Sequence, residues 1–219
     1  MIEIKNVTKK YGDNIAISDI SFNVNDGEIF GFIGHNGAGK TTLIKAIVGI
    51  HDFEGGDILI NGKSIKKDPI DCKKEMAFVP DNPELYENMK AINFINFICD
   101  MYEISQERRE ENIKKYSKMF EMEEKLNDEI GSFSHGMKQK IALISALCHD
   151  PKVLIMDEPF VGLDPKAVFD VKEVMNEMIK EGKTIFFSTH ILDVAEKLCS
   201  RVAIIKKGEL IKVRKYARC

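Results

Sequence analysis

Residues Ile29–Ile50 read IFGFIGHNGAGKTTLIKAIVGI: an apolar run, a turn containing three glycines, and a second run whose apolar residues recur at helical spacing. A buried strand, a glycine turn and a helix in immediate succession open a βα unit, so the stretch predicts an α/β protein with a mostly parallel sheet. Gly34, Gly39, Lys40 and Thr41 satisfy the spacing GxxxxGK[ST], with His35, Asn36, Gly37 and Ala38 between. The chemistry behind that spacing is phosphate binding. Glycines let backbone N–H groups curve around phosphate oxygens, and the helix start adds partial positive charge. Lys40 can reach the β and γ phosphates of a nucleotide, and the Thr41 hydroxyl can ligate magnesium.

The second half of such a site is legible in VLIMDEP, Val153–Pro159. A short apolar run ends on Asp157, able to hold the shell of a magnesium ion, and on Glu158, able to polarise an attacking water. A strand that merely ends in a solvated acidic turn would look the same, and the phosphate loop upstream favours the catalytic reading. TIFFSTH, Thr184–His190, ends another apolar run on a histidine. In open α/β sheets ligands bind beyond the carboxyl ends of the strands, where Lys40, Glu158 and His190 would converge. A γ-phosphate contact is the reading of His190 that this convergence favours over a capping residue.

The remaining texture is consistent with this core. IEIKNV, ISDISFNV and GGDILING alternate apolar and polar and predict half-buried antiparallel strands. From about residue 84 to 150 the pattern turns helical and predicts an inserted α-helical subdomain, with Ser105 as an N-cap and Ile113, Tyr116 and Phe120 on one face. After Pro151, β-branched runs alternate with helical spacing at Val168, Val171, Val174, Met175 and Met178. The chain of 219 residues, 44% hydrophobic and 31% charged at a formal charge of -3, is composed like a globular protein and offers nucleic acid no global attraction. Five scattered cysteines without CxxC spacing suggest buried free thiols, not a disulfide framework or zinc site. No apolar run approaches the ~18 residues of a membrane span, and the N-terminus does not read as a signal peptide. The basic end KVRKYARC reads as a short solvated tail.

FSHGMKQK, Phe133–Lys140, begins a helix with Ser-His-Gly. Such a start exposes unpaired N–H groups and a positive dipole end, and Gly136 permits close backbone approach. A plain N-cap and a second phosphate clamp both fit these residues.

Taken in order, GHNGAGKTT, FSHGMKQK, VLIMDEPFVGLDP and FFSTH resemble the phosphate loop, signature, Walker B with D-loop, and switch histidine of an ABC transporter ATP-binding subunit. The resemblance spans essentially the whole chain and looks most like subunits of ABC-2 type exporters. It implies a P-loop NTPase core with an antiparallel β subdomain and an inserted α-helical subdomain, in a single domain over residues 1–219. It implies ATP and Mg2+ as ligands, with Gly34 to Thr42 (Thr42 included) on the phosphates and Tyr11, in KKYGDN, stacked on adenine. It implies that Ser134, His135 and Gly136 complete the nucleotide site of a second ATP-binding subunit packed head to tail, with Asp164 at the same interface. Separate transmembrane permease subunits would be the driven partners, and the location would be the cytoplasmic face of the membrane. Part of the apolar surface around Ile92–Tyr102 would receive a helix of that partner.

Three positions depart from the family pattern. Asp81 stands where Gln is common after MAFVP, His135 where Gly is usual, and Met137 where Gln is usual. An ionised Asp81 only accepts hydrogen bonds, which leaves its part in the magnesium shell open. A soluble, non-transport ABC ATPase is the alternative within the fold. A small-molecule kinase would need an acceptor pocket that the sequence does not display.

Overall fold

The computed structural model describes residues 1–216. In chain order the elements are β1 (Ile2–Tyr11), β2 (Asn14–Val24), β3 (Ile29–Ile33), α1 (Lys40–Ile47), β4 (Gly55–Ile60), β5 (Lys63–Ser64), α2 (Pro69–Glu75) and β6 (Met76–Val79). They continue with α3 (Ala91–Met101), α4 (Gln106–Met119), α5 (His135–Cys148), β7 (Val153–Met156), α6 (Pro165–Lys180), β8 (Thr184–Thr189), α7 (Leu192–Leu198), β9 (Arg201–Lys206) and β10 (Glu209–Lys215). The chain divides into two compact units, residues 1–78 with 152–159 and 175–219, and residues 79–151 with 160–174.

The first unit carries the sheets. β2, β1, β4 and β5 form an antiparallel sheet in that order, and the six-stranded sheet runs β10-β9-β3-β8-β7-β6. β3 pairs in parallel with both β8 and β9, and β7 pairs in parallel with β8. Every residue of β3, β7 and β8 is buried, which is why these strands read as unbroken apolar runs and not as alternations. β2 alternates instead, because only one of its faces looks inward. Phe22 of that strand stacks on Phe30 at 5.2 Å between ring centroids and on Phe186 at 6.2 Å, so one aromatic cluster joins the antiparallel sheet to the parallel one. Burial of each such ring contributes about 1.5–3 kcal/mol, which makes the cluster a principal tie between the layers.

The second unit is helical. α3 buries Ala91, Phe94, Ile95 and Cys99, and α4 buries Ile113, Tyr116 and Ser117, with Phe120 buried just beyond its end. Ser105 does occupy the N-cap of α4, but its hydroxyl accepts no capping hydrogen bond; its carbonyl accepts the Arg109 amide at 2.9 Å. α5 is the most buried helix of this unit, with every residue from Ile141 to Cys148 inside. Among the described residues Cys72, Cys99, Cys148 and Cys199 are buried thiols outside any disulfide; Cys219 lies outside the described residues. The expected solvated tail is corrected in part: Lys212–Lys215 belong to β10, paired antiparallel with β9. Its last residues, 217–219, lie outside the described range. No helix among the described residues is long and apolar enough to cross a membrane.

Candidate active site

Parallel register brings three strand ends to one edge of the large sheet. Ile33 of β3 lies beside Thr189 of β8, and Met156 of β7 lies beside Phe187. The residues that follow each strand therefore emerge together: Gly34, then Asp157 and Glu158, then His190. Gly34 completes the alignment by donating its amide to the Thr189 carbonyl at 3.3 Å.

The glycine loop is pressed against the strands behind it. A Cβ on Gly34 would stand 2.7 Å from both the carbonyl oxygen and Cγ2 of Ile205 in β9. Gly39, the N-cap of α1, sits at φ 107°, and a Cβ there would lie 2.8 Å from Ile17 and 2.9 Å from the Ala16 carbonyl of β2. Both positions thus demand glycine, one for space and one for space and backbone geometry. The loop is backed by protein on one side, which suits a cradle whose other side receives a polyphosphate.

Lys40 begins α1 and is 6% exposed. Its Nζ donates to the Gly34 carbonyl at 2.7 Å and the His35 carbonyl at 3.3 Å, and lies 3.3 Å from Oε1 of Glu158. That Oε1 is buried and accepts no hydrogen bond, so its contact with Lys40 is an ion pair only. The other oxygen, Oε2, is 3.0 Å from Nδ1 of His190. Thr41 Oγ1 donates to Oδ2 of Asp157 at 2.7 Å, and Asp157 is 1% exposed. A hydroxyl and a buried carboxylate side by side at a phosphate loop are the donor set that magnesium takes alongside nucleotide oxygens, so the residues present fit both ligands.

Ser188 was not singled out in the sequence, yet it organises the acidic pair. Its hydroxyl donates to Oδ1 of Asp157 and accepts the Glu158 amide at 3.0 Å. Glu158 sits at φ 45°, a left-handed conformation in which non-glycine residues are strained, and the Ser188 contact helps hold it there. A serine following the apolar run Ile185–Phe187 inside a fully buried β8 is the one trace of it in the sequence.

Tyr11 reaches the same neighbourhood through the β1–β2 hairpin, where Lys9 lies across from Ile17, the residue packed behind Gly39. Tyr11 is 46% exposed.

The other predicted residues belong to the second unit. Ser134 caps α5, its hydroxyl accepting the Met137 amide at 3.3 Å. The close approach at Gly136 is to Gly162: a Cβ on Gly136 would lie 2.8 Å from the Gly162 carbonyl, and one on Gly162 would lie 2.6 Å from the His135 ring. Asp164 accepts the Ala167 amide at 2.8 Å and pairs with Lys140 at 2.9 Å; both hold its carboxyl below the usual carboxylate range, the amide more than the lysine. Asp81 follows β6, and its carboxylate accepts the Asn82 amide at 2.8 Å.

A family model described as ABC transporter matches residues 17–161. The ABC-type transporter ATP-binding protein EcsA of Bacillus subtilis (strain 168) is 37% identical over 210 residues, 96% of this chain and 85% of that protein. A solved ATP-binding subunit of an ABC transporter superposes with a TM-score of 0.94 at 34% identity, covering 98% of this chain and 90% of the other. The ATP-binding cassette MJ0796, solved as a dimer in a post-hydrolysis state with ADP and Pi, superposes at 0.89 with 25% identity and full coverage of both chains.

Proposed function

The chain belongs to the ABC transporter family, as an ATP-binding subunit that hydrolyses ATP, and from that premise we propose that it works as one half of a head-to-tail dimer driving export through separate transmembrane subunits. The observation that carries the catalytic part is Glu158 set between the Lys40 ammonium and the His190 imidazole, beside the Thr41–Asp157 pair. Thr41 and Asp157 would hold magnesium, whose charge relieves the crowding of phosphate oxygens. Lys40 binds the β and γ phosphates through the loop of Gly34 to Thr42. Glu158 takes the proton of the attacking water, and His190, held through Nδ1, presents its other nitrogen to the γ phosphate.

Ser134, His135 and Gly136 serve the nucleotide of the second subunit in this reading, and Asp164 lies at the interface. The MJ0796 cassette, solved as a dimer with ADP and Pi, supports the pairing of two such subunits. Export is favoured by the likeness of MAFVPDN and FSHGMKQK to ABC-2 type subunits. Tyr86, Phe97 and Met101 of the helical unit are exposed at 60%, 42% and 62%, a surface suited to a helix of a membrane partner. The work would take place on the cytoplasmic face of the membrane.

Fractionation of cells producing the tagged full chain tests the transporter reading. The chain is expected in the membrane fraction and to be released by alkaline carbonate, as a peripheral subunit would be. Its confinement to the soluble fraction, with ATPase activity intact, would identify a soluble ABC ATPase instead.

A further inference from the structure

Tyr11 does not stand alone at the end of β1. Lys9, two residues earlier on the same strand, places its Nζ 5.2 Å from the Tyr11 ring centroid. Lys9 is itself fixed: Glu54 Oε1 lies 3.2 Å from its ammonium, while Oε2 of the same carboxylate accepts the Lys10 amide at 2.7 Å. His51 meets the Tyr11 ring at 6.0 Å between centroids and 86° between planes, an edge-to-face pair. The His51 backbone is tied to the end of α1, where its amide and that of Ile50 both donate to the Lys45 carbonyl, at 3.1 and 2.8 Å.

We propose that His51 is a positioning residue for the adenine ring: with Lys9 it locks the orientation of Tyr11 so that one face remains for stacking. The Lys9 ammonium occupies one π-face by cation–π attraction, and the imidazole blocks rotation of the ring through its edge-to-face contact. The side chain so braced is still nearly half exposed, which leaves room for a base to stack on it. The rotamer freedom that an exposed tyrosine would lose on binding a base is thus already removed. His51 hangs from the C-terminal end of the helix whose first residue is Lys40, so the residue that braces Tyr11 is tied to the same helix as the phosphate cradle. The inference rests on the reading of Tyr11 as the adenine-stacking residue.

Inorganic tripolyphosphate separates this role from a general disturbance of α1, because it occupies the phosphate loop without offering a base. Equilibrium binding of ATP and of tripolyphosphate is measured for the full chain and for His51→Ala, His51→Phe and Tyr11→Ala. His51→Ala is expected to weaken ATP about two- to tenfold, the span of one aromatic pair, and to leave tripolyphosphate unchanged. His51→Phe, which restores an edge-to-face partner, should bind ATP nearly as the parent does. Equal weakening of both ligands would make His51 a structural support of the loop and overturn the proposal. So would parental ATP affinity in His51→Ala alongside a clear loss in Tyr11→Ala. If Tyr11→Ala itself binds ATP normally, the stacking role of Tyr11 falls, and the inference falls with it for that distinguishable reason.

Discussion

Glu158 concentrates most of what the site requires. It is held in a left-handed conformation that costs about 1–3 kcal/mol, and its amide is bonded to Ser188. One of its carboxylate oxygens faces an ammonium at 3.3 Å and the other an imidazole at 3.0 Å. Glu158→Gln keeps the shape, the backbone contact and the phosphate cradle, and removes the ability to accept a proton. ATP binding should persist while steady-state phosphate release falls by about 10²–10⁴-fold. Near-parental release with normal binding would remove Glu158 from the role of base. The Asp-Glu pair was visible in the sequence because an apolar strand ends on it. Ser188 was not, since its meaning comes only from the parallel register that sets it beside Asp157, 31 residues away.

At the level of elements, periodicity identified the strands and helices whose environment is simple. β3, β7 and β8 are buried on both faces, and α4 has one apolar stripe; each shows its burial directly in its pattern. β10 is hidden because it lies at the edge of its sheet, mostly exposed, and its Lys212, Arg214 and Lys215 run on into the basic end so that the stretch reads as a solvated tail. The turn before it is also disguised: Lys207 at φ 50° and Gly208 at φ 80° make a hairpin turn of the kind usually marked by Asn-Gly. The end of α5 hides another feature. His149, 8% exposed, stacks on Tyr102 with 3.7 Å between centroids and 3° between planes, and its Nδ1 is buried without a hydrogen-bond partner. Burial pushes its imidazole down from 6.5 to about 4, against smaller opposing effects of its own backbone and Asp150. The native state therefore keeps His149 neutral where the unfolded chain would protonate it. The stability this represents is fully present above about pH 6.5 and is lost as pH falls towards 4, by up to about 3 kcal/mol. His149→Phe preserves the stacked ring and takes up no proton. Its Tm should fall less than the parent's between pH 7 and pH 5, and parallel pH profiles would show that His149 does not titrate as its burial requires.

Over the whole molecule, four motifs in a fixed order were enough to indicate family and fold, because each marks a chemical step that the others complete. The division of labour between subunits is not written in any one motif. The phosphate loop with Lys40 belongs to the first unit and the Ser134 helix start to the second, and each occurs once in the chain. If Ser134 serves the nucleotide held by a second copy, Lys40→Ala disables the site of its own chain, whereas Ser134→Arg disables the site facing it. Each mutant homodimer should then be inactive. In a mixed dimer, Lys40 of the Ser134→Arg chain and Ser134 of the Lys40→Ala chain meet in one intact site, and the opposite site carries both lesions. ATPase activity should reappear on mixing, up to about half the parental value per dimer for independent sites, and ATP-dependent association of the two chains should reappear with it. Association reports the rescue even where two sites must fire together. A Ser134 that only caps α5, as its hydroxyl does towards Met137, offers no route by which mixing could create a working site. Two folded mutants that neither associate nor hydrolyse ATP when combined would therefore refute the head-to-tail arrangement and leave Ser134 as a helix cap.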